Sequence, residues 1–121
     1  MATTKETLNK LMELEGVIGV CVVDSHSGMM LGSAGGGATF NLELAAAGNT
    51  EVVRAKRQTM KALNLNDPIE DILITLGKQY HLLRPLRAND ALFIYVALDR
   101  ARSNLAMARH QLAAAEKDLT L

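Results

Sequence analysis

The chain has 121 residues and 13.1 kDa, 49% hydrophobic and 21% charged, enough for one domain (1–121) with a core of ordinary size. Thirteen basic residues balance thirteen acidic ones and aromatics make up only 3%, which excludes a nucleic-acid binder that works through a bulk basic field or base-stacking platforms. A lone cysteine excludes an internal disulfide framework and a cysteine-based zinc site. No run approaches the roughly 20 apolar residues of a membrane span and the opening MATTKETLNK has no apolar leader core, so the expectation is a cytoplasmic protein without membrane insertion.

The first predicted element is a helix opened by Thr3 and Glu6 in capping-box spacing, with Leu8, Leu11 and Met12 as its apolar stripe and Gly16 as its terminator. Residues 17–23 are apolar at nearly every position, as in a strand covered on both faces. Asp24-Ser25-His26-Ser27-Gly28 reads as a turn, and Met29-Met30-Leu31 as the return strand. Gly35, Gly36 and Gly37 read as a flexible linker before a long helix, capped by Thr39 or Asn41 and running to about Leu63.

That helix carries two apolar stripes. Leu44, Gly48, Val52, Ala55, Thr59 and Ala62 share one sector, which reads as the core face. Ala46, Val53 and Met60 form a second stripe at heptad spacing, without an intrachain partner and therefore available to another subunit. Arg54, Arg57, Gln58 and Lys61 take the polar side, and Pro68 stops the helix. Three strands then follow, at 69–76, 80–86 and 91–98, joined by short hairpins. Asp99 is positioned to cap a final helix, whose stripe is Ala101, Leu105, Ala108, Leu112, Ala115 and Leu119. The order helix, two strands, helix, three strands, helix predicts an α/β (α+β) sandwich around one five-stranded antiparallel sheet.

No constellation points to an enzyme or a cofactor. Cys21 lies among apolar neighbours and reads as a small core residue. His26, His81 and His110 fall on a turn, a strand and a helix without paired-ligand spacing, so no metal site is expected. The triple glycine is followed by Ala38, Thr39 and Phe40, where a phosphate loop needs Gly-Lys-Ser/Thr. Glu70 and Asp71 are adjacent in a strand and point to opposite faces, so they cannot serve one substrate atom as acid and base.

Two stretches, GVIGVCVVDSHSGMMLGS and LFIYVALDRARSNLAMAR, resemble the roadblock/dynein light-chain superfamily, including the bacterial members that partner Ras-like small GTPases. The first resembles the family's valine-rich strand, Asp-x-x-x-Gly turn and return strand. The second resembles its last strand and the opening of its final helix, here Asp99, Arg100, Asn104 and Leu105. The resemblance implies a roadblock/longin-like (profilin-like) fold and a homodimer that joins two sheets edge to edge and packs the long helices antiparallel. On this chain the interface would be Ala46, Val53 and Met60 of the helix with Ile72 and Ile74 of the joining strand, since IEDILITL is too apolar for a bare edge.

The function so implied is that of a non-enzymatic regulator or adaptor for a small GTPase or a larger motor or signalling complex, contacted through Arg54, Arg57, Gln58 and Lys61. The alternative is a small-molecule sensor with the loop from Gly32 to Ala38 as lid, although few residues suit a pocket wall.

Overall fold

The computed structural model describes residues 1–120. In chain order the elements are α1 (Thr4–Leu11), β1 (Val17–Asp24), β2 (Met30–Gly35), α2 (Leu42–Ala62), β3 (Ile72–Thr75), β4 (Gln79–Pro85), β5 (Leu92–Asp99) and α3 (Leu105–Asp118). The strands form one antiparallel sheet in the spatial order β2-β1-β5-β4-β3, which is the order of elements and the sheet that the sequence predicts. β1 and β5 occupy its middle, and residues 92–98 are all buried, which is why both strands are apolar on both faces.

Helices cover both faces. α1 and α3 bury Leu8, Leu11 and Leu112 against Val20, Val22, Leu82, Ile94 and Val96. α2 covers the opposite face, above Cys21, Val23, Phe93 and Tyr95. A buried ion pair ties α3 to the sheet: Arg84 Nε donates to Glu116 Oε1 at 3.1 Å, and the Arg87 amide donates to Oε2 at 3.2 Å.

The ends of the helices are set by local chemistry. The Thr3–Glu6 capping box forms as expected, and of the two candidates for α2 it is Asn41 whose side chain accepts from Leu44 N–H at 3.0 Å. α3 starts later than expected. Its cap is Asn104, and Asp99 instead accepts the Ala101 amide at 3.0 Å in the turn that takes the chain out of β5. The end of α2 also differs. Asn64 adopts φ 58° and donates to Lys61 O at 3.1 Å, while Leu65 N–H donates to Met60 O at 2.9 Å. This Schellman turn ends the helix before Pro68 can.

The glycine-rich segment is not a free linker. Gly32, Ser33, Ala34 and Gly35 pair with Val22, Cys21, Val20 and Gly19, so the first half of the expected lid is a hydrogen-bonded edge strand. The register shift beside Val23 leaves Leu31 unpaired, a bulge that interrupts this edge. Gly16 takes φ 79° in the turn before β1, where a Cβ would lie 2.9 Å from the Arg102 carbonyl carbon, so this turn needs glycine.

The two stripes of α2 exchange roles. Ala46 and Val53, expected at a subunit interface, are fully buried between the helix and its own sheet, together with Leu42 and Thr50. The expected core stripe faces outward: Leu44 is 70% exposed, Gly48, Ala55, Thr59 and Ala62 are exposed, and only Val52 is half-buried. The physical reason lies in Thr50. Its hydroxyl donates to Ala46 O at 2.8 Å and so satisfies itself inside the core, leaving a small, apolar-surfaced face that sits close to the sheet.

Candidate protein-docking face

α2 packs chiefly on β1 and β2, and this offset leaves the β3–β4 side of the same sheet face less covered. Ile72 stands opposite Leu83 and Ile74 opposite His81, and cross-strand partners share a face. Leu83 belongs to the core under α2, so both isoleucines point to that side. Ile72, Ile74 and His81 are only half-buried, whereas Cys21, Phe93 and Tyr95 are fully buried. Ala45 and Val52 of α2 edge the same apolar cluster. The outcome is a stepped surface, with the outward stripe of α2 above and Ile72 and Ile74 of the edge strand below. Among the described residues β3 pairs on one side only, so the outer backbone groups of Ile72–Thr75 have no strand partner there.

The polar residues of α2 divide. Arg54 and Glu51 form an exposed ion pair at 3.4 Å, and Gln58 and Lys61 are exposed. Arg57 is already engaged. Its Nη1 donates to Ser25 Oγ at 3.4 Å and its Nη2 to Asp90 O, fastening α2 to the β1–β2 turn and the β4–β5 loop. Met60 does not lie on the outward stripe. It is half-buried in a groove of about 820 Å³, shared with Leu65, Ile69, Leu86 and Arg87. The structure therefore keeps Arg54, Gln58 and Lys61 together on an accessible face and withdraws Arg57 and Met60 from it.

The interior chemistry is inert at Cys21, where burial pushes the thiol up to about 12. Behind Ile74 lies a polar group that sequence reading did not assemble. Tyr95 Oη lies 3.2 Å from His81 Nδ1, and His81 Nε2 lies 2.7 Å from Gln79 Oε1. Burial holds the imidazole below its ordinary pKa and pushes the Tyr95 phenol up. The period-2 spacing of Gln79 and His81 placed them on one face, but their link to Tyr95 depends on the β4–β5 register. Among the described residues no group of three or more His, Cys, Asp or Glu is placed to hold a metal ion, and no helix is long and apolar enough to cross a membrane.

No protein-family model and no curated relative matches the chain by sequence. Solved structures do match. Myxococcus xanthus MglB superposes with a TM-score of 0.80 at 17% identity, over 93% of this chain and 87% of that one. A Roadblock/LC7 domain from Streptomyces avermitilis gives 0.79 at 12% identity, over 93% and 90%. The gliding protein MglB from Thermus thermophilus gives 0.70 at 14% identity, over 95% and 89%. The likeness spans nearly the whole of each chain and rests on the arrangement of helices and strands with little shared sequence: this chain has the roadblock fold.

Proposed function

We propose that this chain is a cytoplasmic, non-enzymatic, homodimeric regulator or adaptor that binds a Ras-like small GTPase or a larger motor or signalling complex. The observation that carries the reading is the stepped apolar surface. A helix whose outward stripe is Leu44, Gly48, Val52, Ala55 and Ala62 stands beside a partly covered sheet face that ends in an unpaired strand. Small side chains let a second α2 approach closely, and a second β3 would complete the edge. The interface so assigned is Leu44, Val52 and Ala55 with Ile72 and Ile74, and it replaces Ala46 and Val53, which the monomer itself buries. Another structural neighbour is described as MglB with a tetrameric arrangement, which supports association between copies.

The GTPase reading is supported by the fold and by the resemblance of the Asp99–Leu105 region to roadblock proteins that partner Ras-like GTPases. The contact surface is Arg54, Gln58 and Lys61, brought into a continuous patch when two helices lie side by side. The test is capture of a Ras-like GTPase on the tagged protein, with GTP-analogue and GDP arms in parallel. Preferential recovery in the triphosphate arm, lost when all three residues become alanine, supports the regulator. Equal recovery in both arms supports an adaptor indifferent to the nucleotide. If a purified Ras-like GTPase binds in neither arm while the dimer persists, the partner assignment is wrong.

A further inference from the structure

The polar group behind Ile74 is a directed hydrogen-bond relay. Gln79 Oε1 can only accept, so His81 Nε2 carries the hydrogen, and burial favours the neutral form of the ring. Nδ1 is then an acceptor, and it takes the Tyr95 O–H at 3.2 Å. Asn49 approaches the same hydroxyl from α2. The imidazole is also gripped edge-on by two aromatic rings, Phe40 at 6.0 Å and Tyr95 at 5.4 Å, and Phe40 is the residue just before the Asn41 cap of α2. The relay thus joins the start of α2 to β5 and β4, one strand in from the edge, and its imidazole is half-buried on the face assigned to the second copy.

We propose that His81 is a proton-operated release for self-association: the neutral ring accepts from Tyr95 and lets a second copy dock, and the protonated ring reverses that hydrogen bond and resists the drying that docking imposes. This rests on the reading that a second copy covers this face. A proton arriving at Nδ1 turns that nitrogen into a donor. The Tyr95 hydroxyl must then swing its hydrogen away, inside a core where the residue is fully buried. A second copy laid over Ile72, Ile74 and His81 would dry the ring further, so the docked state binds the proton more weakly than the free state does.

Among the described residues no nearby charge offsets this. On β5 and β1 the titratable groups behind the ring are Tyr95 and Cys21, both kept neutral by burial. Ile74 faces it from β3, and the 36–41 segment that supplies Phe40 contains no charged residue. α2 offers neutral Asn49, its Glu43, Glu51, Arg54, Lys56 and Lys61 being exposed and its Arg57 tied to Ser25 and Asp90. Asp99 stands opposite Gln79 and accepts from the Ala101 amide. Asp71 is held by Arg109, on the α3 side.

With one His81 per subunit, the dimer Kd rises as pH falls by up to about two decades per pH unit within the titration range. Sedimentation equilibrium from about pH 7.5 down to the acid limit of the fold reads this directly, with Kd expected to rise steadily as pH falls below the ordinary imidazole value. His81→Asn keeps an acceptor for Tyr95 but binds no proton, so its Kd stays flat. Tyr95→Phe removes the O–H that favours the neutral ring, so the transition moves to higher pH. If His81→Asn does not fold, as judged by circular dichroism, the direction of the Tyr95→Phe shift decides. A wild-type dimer whose Kd ignores pH, a His81→Asn dimer as pH-sensitive as wild type, or an unmoved Tyr95→Phe transition overturns the release and leaves the dimer standing. A monomeric mass at every pH overturns the release and the dimer together.

Discussion

Val53 and Ala55 lie two residues apart on α2, and the structure assigns them opposite fates. Val53 is fully buried against the sheet, and Ala55 is exposed on the outward stripe. Val53→Ala removes two buried methyl groups and leaves a small void, a loss of about 1.5–3 kcal/mol. Val53→Asp adds an unpaired carboxyl with no donor prepared for it, and together the losses reach about 5 kcal/mol or more. That is comparable to the whole stability of many domains, about 5–15 kcal/mol, so this variant unfolds. Ala55→Arg exchanges one good helix former for another on a solvent-facing site and shifts stability by no more than about 0.5 kcal/mol. In a dimer that packs this stripe, however, it sets a bulky cation in the contact and drives the protein to monomer.

Urea unfolding followed by far-UV circular dichroism gives the first two quantities, and sedimentation velocity gives the third. A folded, wild-type-stable Val53→Asp protein of monomeric mass would refute the assignment. It would mean that Val53 does belong to a subunit contact and that the monomer does not need it.

Four further outcomes follow from particular contacts. Glu116→Ala strands the partly buried Arg84 guanidinium and the Arg87 amide, and thermal or urea unfolding should show a loss of about 2–4 kcal/mol, with Glu116→Gln losing less. Asn64→Val forces a β-branched residue into the left-handed region at the end of α2 and costs about 1–2 kcal/mol, whereas Asn64→Gly leaves stability equal or higher; the same unfolding assay decides. Cys21, buried and held up to about 12, should resist a thiol reagent at neutral pH in the native protein and react at once in urea; fast native labelling would contradict the burial. His81 has a folded-state pKa below its ordinary value of 6.5, so the unfolded chain binds its proton first. Its stabilising contribution is therefore complete above 6.5 and is lost as pH falls toward the folded value. The acid slope of unfolding stability should be shallower in His81→Asn, and an identical slope would show that the ring does not titrate differently on folding.

Much of this molecule is legible in one dimension because the signals are local. Thr3 and Glu6 meet across a single helical turn, so their spacing alone predicts the capping box that forms. The runs that form β1 and β5 are apolar on both faces, a pattern that only a central strand explains, and their number and order predict the sheet. Asn104 is also readable, as an Asn directly before an apolar periodic run, but Asp99 offers the same chemistry earlier. Only the turn out of β5 decides between them.

What the chain leaves undecided are the features whose signal is relative. Two alanine-rich stripes on α2 differ little in hydrophobicity. Which one meets the sheet depends on side-chain size against the strands beneath and on Thr50 satisfying its own hydroxyl. Glycine has no side chain to alternate, so the pairing of Gly32 and Gly35 with β1 cannot be read, and the run from Gly35 to Gly37 looks like a linker. Arg57 looks like its neighbours Arg54 and Lys61 until the Ser25 turn and the Asp90 loop fold against it. The His81 relay needs strand register, a quantity fixed only when non-local hydrogen bonds form. Composition and periodicity thus determine which elements exist and how many layers they make. Tertiary packing decides which face of each element is inside, because that choice is a competition between surfaces that only the assembled sheet can judge.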